Sequence, residues 1–133
     1  SHGLWEGKLE SEIQNDWPKL LKDWKDKPES VQMPEGETIN QVWERSINCF
    51  ESICKGLKDE ETALVVAHDA VNKTILCHLL GLSSSDIWMV KQGNGGVTII
   101  DLSINSSQGY VVTCLNITSH LGNLLDCTAA GAL

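Results

Sequence analysis

The sequence predicts one α/β domain, layered helix–sheet–helix, with a mostly parallel sheet that ends in a C-terminal hairpin. Three observations favour this class. Helical periods fill the first half of the chain, an unbroken apolar run follows at residues 62–67, and two apolar segments separated by a polar turn come near the end. The length of 133 residues is enough for one domain with a buried core.

The first half of the chain has the spacing of two helices joined by a polar loop. Apolar residues recur every three or four positions in "KLESEIQNDWPKLLKDWKD", which predicts an amphipathic helix that bends or restarts at Pro18. The loop "KPESVQMPEGE" follows. Thr38 is then a candidate N-cap, and Gln41 completes a capping box. The second helix is predicted over "INQVWERSINCFESICKGL", with Gly56 close to its end.

The second half of the chain predicts strands around one further helix. In the run "TALVVA" five consecutive apolar residues follow Thr62, two of them β-branched, which is typical of a central strand covered on both faces. The helix "AVNKTILCHLL" should end at Gly81, and "SSSDIWMVK" predicts a short helical turn capped by serine. The segments "VTIIDLSI" and "YVVTCLNIT" predict a hairpin through the turn "NSSQG". We expect residues 1–117 to form the domain and residues 118–133 a loosely ordered tail.

Composition excludes several classes of function. A net charge of −8 argues against nucleic acid or a membrane surface as a partner, because both need a basic face. The five cysteines include no C-x-x-C pair, so we expect reduced thiols and a cytoplasmic location, or the plastid stroma if the protein is from a plant. No zinc spacing, P-loop or G-x-S-x-G pattern is present, and neither a metal nor a cofactor is expected.

The strongest candidate site is His68, at the point where the apolar run ends and a helix begins. Ligands of α/β sheets bind beyond the carboxyl ends of the strands, beside helix N-termini whose free N–H groups favour anions. A histidine there adds directional donors and can carry a positive charge, which suits a phosphoryl group. Asp69 is expected to be the N-cap, accepting from backbone N–H groups near Asn72. On these residues alone, a hydrogen-bonded loop histidine without a ligand is the alternative interpretation.

Three blocks, in order, resemble the histidine phosphatase superfamily, the phosphoglycerate-mutase-like group. They are "GLWEGK", "PEGETINQVWER" and "LVVAHDAVNKTILCHLLGL", and the resemblance runs over residues 3–117. The form "AHDAVNK" is similar to the cyanobacterial and plant members described as 2-carboxy-D-arabinitol-1-phosphatase-like. The resemblance implies a partial phosphoglycerate-mutase-like fold and a phosphatase or mutase that acts on a small phosphorylated metabolite through a phosphohistidine.

The resemblance also assigns roles to individual residues. His68 matches the family's second histidine, which stabilises the transferring phosphoryl group. Glu6 is the nearest retained carboxylate, with a supporting role first and a role as general acid second. By their positions, and apart from the resemblance, Asp69 at the helix start and Asn94 within the "QGNGG" loop are candidate substrate-binding residues. A generic nucleotide binder is a weaker interpretation of that loop, since it lacks a strand–G-x-G-x-x-G–helix context.

The sequence departs from the family pattern in two respects. It contains no "RHG" motif, which carries the family's nucleophilic histidine. The two arginines that hold the phosphate in the family are also absent, since the only arginine, Arg45, belongs by resemblance to the second helix. We therefore expect the chain to be the C-terminal part of a longer enzyme, inactive without the RHG segment. The alternative is a non-catalytic binding or interaction domain on the same scaffold. A missing neighbour of the His68 strand would leave an unpaired sheet edge, through which a homodimer is expected to form.

Overall fold

The computed structural model describes residues 1–102 and 109–122. These residues form four α-helices followed by two strands, with short 3₁₀ turns at Gly3–Trp5, Pro28–Ser30 and Ser84–Met89. The helices and strands are α1 (Glu10–Asp16), α2 (Pro18–Asp26), α3 (Ile39–Gly56), α4 (Asp69–Leu79), β1 (Val97–Leu102) and β2 (Tyr110–Ile117). The architecture is α/β and rich in helix. In the described part of the chain, no helix has the length and apolar character needed to cross a membrane.

The first helical segment restarts where the sequence predicts. α1 ends at Asp16, and Pro18 opens α2 at its first position, where the missing proline N–H costs nothing. The two short helices together bury Ile13, Leu21 and Trp24 on their inner side. The restart at Pro18 is confirmed.

Helix α3 begins with the capping box that the sequence predicts. The backbone N–H of Gln41 donates to Thr38 Oγ1 at 3.2 Å, and the N–H of Thr38 donates to Gln41 Oε1 at 2.9 Å. The two bonds satisfy donors that the first turn would otherwise leave free. Four apolar side chains of α3 are buried, at spacings of three to five residues: Ile39, Val42, Ile47 and Phe50.

Two apolar clusters hold the helices and the hairpin together. The larger one joins the N-terminal turn, α1, α2 and the start of α3 to Leu76 and Cys77 of α4. The smaller one consists of buried residues from α3 and α4, with one side of the hairpin packed against it through Ile100, Tyr110 and Val112. Helix α4 contributes to both clusters, so its position is fixed from two sides.

The C-terminal hairpin is confirmed. β1 and β2 pair antiparallel in a register that runs from Val97 opposite Ile117 to Leu102 opposite Tyr110, with irregularities near Ile99. Residues 105–108 of the predicted turn lie outside the described residues, as do residues 123–133 of the predicted tail.

The predicted central strand is the main correction. Residues 62–67 form no strand with any described residue, and Leu64 and Val66 are 87% and 84% exposed. The sheet in the described part of the chain is the antiparallel β1–β2 pair, so the mostly parallel sheet is not found there. An apolar run indicates only that its side chains prefer to be buried. A strand also needs a neighbouring backbone to bond with, and the described residues provide none beside residues 62–67.

Candidate active site

His68 is the N-cap of helix α4 and its side chain is exposed. Its backbone is extended, with φ −94° and ψ 165°, and its carbonyl accepts the N–H of Asn72 at 2.9 Å. The predicted N-cap, Asp69, is wrong by one residue, since Asp69 is already the first helical residue. Among the described residues, no hydrogen bond or salt bridge involves the imidazole of His68. The ring is therefore open to solvent at the helix start.

The first turn of α4 keeps free donors beside that ring. The backbone N–H groups of residues 69–71 have no acceptor within the described ranges, and no side chain caps them. Unpaired N–H groups at a helix N-terminus attract anions, helped by the helix dipole. The position of His68 at the N-cap places an imidazole and these donors at the same end of the helix.

Lys73 adds a positive charge one turn into α4. Its side chain is 11% exposed, and Nζ lies 2.8 Å from Asp69 Oδ2 and 4.7 Å from the centre of the Trp88 ring. The other carboxylate oxygen of Asp69, Oδ1, is buried without a hydrogen-bond partner in the described structure. Asp69 thus holds the lysine at the first turn of α4. The candidate role of Asp69 in substrate binding remains a prediction.

His2 is a residue that the sequence analysis did not connect with the site. Burial, together with the nearby N-terminal amine, lowers the pKa of His2 below its ordinary value, and His68 lowers it further. The two imidazoles therefore lie within electrostatic reach of each other. The ring of His2 packs edge-on against Trp24, with 6.5 Å between ring centres. The sequence feature that could have pointed to His2 is its place next to the "GLWEG" block. The sequence alone does not show that this block lies close to His68 in the folded chain.

The chain start is held near α4 by a close approach of two of the motif blocks. Gly3 lies against the loop at residues 34–36, and the N–H of Leu4 donates to the carbonyl of Pro34 at 2.9 Å. Gly3 has φ +57°, and a Cβ built on it would lie 2.0 Å from the Pro34 carbonyl oxygen. Only glycine fits such a backbone-to-backbone contact. The blocks "GLWEGK" and "PEGETINQVWER" thus meet in space.

Glu6 sits in this N-terminal turn as a hydrogen-bond acceptor. Its Oε1 accepts from Ser1 Oγ at 2.8 Å and from the backbone N–H of His2 at 2.9 Å. The bond from Ser1, followed by that from His2, lowers the pKa of the exposed Glu6 carboxyl below its ordinary value. A general acid must hold a proton at the working pH, so this environment favours the supporting role over the acid role.

Arg45 and Asn94 make no described hydrogen bond to His68. The guanidinium of Arg45 donates to both carboxylate oxygens of Glu37, at 2.6 and 3.0 Å. These bonds, together with the N-terminal amine, hold the pKa of Glu37 at about 2. Asn94 is exposed in the turn before β1, and no described hydrogen bond joins it to His68. Its candidate role in substrate binding remains a prediction.

The chemistry available at this site is that of an anion site. In an acidic protein, His68 and Lys73 lie at the first turns of α4, where backbone N–H groups are free, and His2 lies within electrostatic reach of His68. Within residues 1–102 and 109–122, no three His, Cys, Asp or Glu side chains are grouped to hold a metal ion. The described groups can therefore bind and stabilise a negative group by charge and hydrogen bonding.

Comparison with known proteins identifies the family. The model of the histidine phosphatase superfamily (branch 1) matches residues 1–117. The chain belongs to this superfamily. The family resemblance found in the sequence is thereby confirmed, and His68 lies within the matched range.

Curated relatives of this superfamily member are phosphatases. Phosphoserine phosphatase 1 of Hydrogenobacter thermophilus is 30% identical over 121 residues, which are 91% of this chain and 56% of the relative. A probable 2-carboxy-D-arabinitol-1-phosphatase of Arabidopsis thaliana is 27% identical over 84% of this chain and 23% of its own length. The corresponding enzyme of Triticum aestivum is 26% identical, with 84% of this chain and 22% of the relative covered.

A solved structure shows the same fold. YhfR of Bacillus stearothermophilus superposes with a TM-score of 0.79 at 26% sequence identity, over 90% of this chain and 57% of the YhfR chain. The chain thus spans a little over half the length of YhfR and of the Hydrogenobacter phosphatase, and less than a quarter of the plant enzymes.

Proposed function

We propose that this chain forms the C-terminal part of a phosphohistidine-type phosphatase that acts on a small phosphorylated metabolite. In this proposal residues 1–117 belong to the catalytic domain and residues 118–133 form a tail. The observation that carries the proposal is His68, an exposed imidazole at the N-terminus of α4 in a chain that the family model matches over residues 1–117. His68 is the group that stabilises the phosphoryl group during transfer.

The site can favour phosphoryl transfer because charge on the phosphoryl oxygens needs positive charge and donors already in place. The imidazole of His68 and the free N–H groups at residues 69–71 supply donors on one side. Lys73 adds a positive charge nearby, and Asp69 orients it through their 2.8 Å ion pair. The imidazole of His2, whose pKa is lowered by burial, adds a hydrogen-bonding ring within electrostatic reach of His68. The proposal gives Glu6 a supporting role in the N-terminal turn that positions His2.

The nucleophile must come from outside the described site. No RHG motif is present, and Arg45 is engaged by Glu37. We propose that a further segment of the catalytic fold brings the attacking histidine and two arginines, and that the chain alone is inactive. The attacking nitrogen then bonds to phosphorus as the bond to the leaving oxygen breaks. Water later hydrolyses the phosphohistidine, and two easier steps replace one difficult step.

The names of the relatives favour hydrolysis over transfer to a second hydroxyl. All three curated relatives are named as phosphatases, so we propose a phosphomonoesterase and keep the mutase as the less supported activity. The four cysteines in the described part of the chain are unpaired, which is compatible with the proposed cytoplasmic or stromal location.

A second candidate function is a non-catalytic binding domain on this scaffold. The observation that favours it is the bidentate ion pair of Arg45, because it leaves the candidate site with no arginine. Such a domain would bind small anions at the start of α4 without turning them over.

Both candidates can be separated with a fused protein. The part of Bacillus stearothermophilus YhfR that this chain does not match is joined ahead of Ser1, and hydrolysis of p-nitrophenyl phosphate is measured. We expect no turnover by the chain alone, turnover by the fusion, and loss of turnover on His68→Ala. The exposed His120 provides the matched control, His120→Ala, which should retain activity. A folded fusion without turnover supports the binding domain, and turnover that survives His68→Ala contradicts the role of His68.

A further inference from the structure

Lys73 is a charged side chain that helix α4 carries into the fold. Its side chain is 11% exposed, although the fully charged lysine is a costly group to remove from water. The carboxylate of Asp69 lies 2.8 Å from Nζ and offsets that cost. An ion pair with a buried member seldom stabilises a fold more than apolar side chains of similar size would. Stability is therefore a weak reason for a lysine at this position.

Two tryptophans fix the place of the ammonium group. Nζ of Lys73 lies 4.7 Å from the centre of the Trp88 ring, within the range of a cation–π contact. The indole N–H of Trp88 donates to the carbonyl of Trp24 at 3.2 Å, and the two rings meet edge-on with 5.3 Å between their centres. Trp24 is itself buried in the larger apolar cluster. The positive charge of Lys73 is therefore held in one place by the core.

Asp69 brings a negative charge to the end of α4 that carries the free donors. It follows His68 directly and is the first residue of the helix, so it lies within one turn of the N–H groups of residues 69–71. The helix dipole favours any negative charge at this end, and an unpaired carboxylate would compete there with a phosphoryl group. It would also repel the phosphoryl oxygens. The site needs a means of cancelling this charge.

We propose that Lys73 is a positioning residue of the phosphoryl site and acts through Asp69. The ion pair cancels the charge of Asp69 and keeps its carboxylate on the side of Lys73, where no side chain caps the first turn of α4. The free N–H groups and the imidazole of His68 are then left for the phosphoryl group. The inference rests on the proposed function, and the positive charge of Lys73 takes effect without contact with the substrate.

Tungstate binding by the YhfR fusion, measured by calorimetry, tests the inference through the direction of each change. Lys73→Met removes the ammonium and leaves Asp69 unpaired, so tungstate should bind about 5- to 30-fold more weakly. Asp69→Asn leaves Lys73 unpaired and should tighten binding about 2- to 10-fold. The double variant Asp69→Asn/Lys73→Met removes both charges and should bind within about 3-fold of the parent.

The opposite directions of the two single variants distinguish a role in the site from a role in the fold. A pair that only stabilised α4 would give weaker binding in both variants, or no change in either. If Lys73→Met does not fold, Asp69→Asn and the double variant carry the same test. Removal of Lys73 from the Asp69→Asn protein should weaken binding about 2- to 10-fold.

Lys55→Met is the matched control. Lys55 pairs with Glu51 at 3.2 Å with the same spacing of four residues, but the pair lies on α3 and the lysine side chain is 77% exposed. The substitution changes the net charge of the protein by the same amount as Lys73→Met. Because solvent and salt screen an exposed charge, tungstate affinity should stay within about 2-fold of the parent.

Three results would overturn the role of Lys73. They are the same direction of change in both single variants, no change in either, and a loss in Lys73→Met that persists undiminished in the double variant. The last would show that Lys73 contacts the anion itself.

Turnover of p-nitrophenyl phosphate separates this inference from the proposed function. Turnover that is lost on His68→Ala, with tungstate affinity unaffected by the Lys73 and Asp69 variants, refutes the role of Lys73 alone. A fusion without turnover whose tungstate affinity changes in the expected directions refutes the phosphatase and keeps Lys73 as part of an anion-binding site. A folded fusion that binds no tungstate overturns both.

Discussion

Replacement of Gly3 by alanine tests the backbone contact that holds the N-terminal turn beside α4. At φ +57° a side chain costs about 1–2 kcal/mol in backbone strain alone. The new Cβ would also lie 2.0 Å from the carbonyl oxygen of Pro34, where ordinary contacts begin near 3.4 Å. Relief of that overlap breaks the Leu4–Pro34 hydrogen bond, which contributes about 0.5–1.5 kcal/mol.

Movement of the N-terminal turn away from Pro34 would also cost free energy. Trp5 follows two residues later and is 2% exposed within the larger apolar cluster, so movement of the turn withdraws part of that side chain from the core. Loss of a buried tryptophan costs about 3–5 kcal/mol, and partial loss costs less. We therefore expect Gly3→Ala to lower the free energy of unfolding by about 3–5 kcal/mol in total.

Gly7→Ala is the matched control, measured by urea denaturation. Gly7 also has positive φ, at +77°, but a Cβ built on it has no atom within 4 Å, so only the backbone strain remains. Its cost should be about 1 kcal/mol, or a midpoint shift of about 0.5 M urea, against more than about 1 M for Gly3→Ala. Equal midpoints for the two variants would show that the contact of Gly3 with Pro34 is not tight.

Three further changes test the fold by the same denaturation assay. Leu76→Ala should cost about 2–5 kcal/mol and Leu64→Ala less than about 0.5, because their exposures are 3% and 87%; a large cost at Leu64 would mean that residues 62–67 are buried after all. Thr38→Ala should cost about 1 kcal/mol through loss of the helix cap, whereas Thr38→Ser should be close to neutral; equal costs would argue against the cap. The pKa of Glu37 is lowered from 4.5 to about 2, chiefly by Arg45, so their pairing stabilises above pH 4.5 and is lost as the pH falls towards 2. Arg45→Gln should therefore reduce the urea midpoint at pH 6 and converge with the parent near pH 2, and a difference that is constant with pH would contradict the ion pair.

Local signals in the sequence predicted most of the helical structure. The cap at Thr38, the restart at Pro18 and the end of α4 before Gly81 depend on residues within one turn of the boundary. The hairpin was predictable for the same reason, since alternation and a short polar turn are local features. Burial was less predictable. Leu9 continues the helical spacing, yet it precedes α1 and is 69% exposed.

Non-local partners explain what the sequence did not predict. The apolar run at residues 62–67 has the composition of a central strand, but strand formation depends on a neighbouring backbone that the described residues do not place there. The contribution of His2 has the same origin. Its approach to His68 depends on the contact of Gly3 with residues 34–36, which brings together two segments more than 30 positions apart.

The position of a bound phosphate mimic tests the role of His68 most directly. The YhfR fusion is crystallised with tungstate, and the distances from the oxyanion to the side chain of His68 and to the backbone N–H groups of residues 69–71 are measured. We predict an oxyanion oxygen about 2.7–3.2 Å from an imidazole nitrogen of His68. An oxyanion bound elsewhere in the folded fusion, with the ring of His68 unoccupied, would contradict the assignment of this histidine to the phosphoryl site.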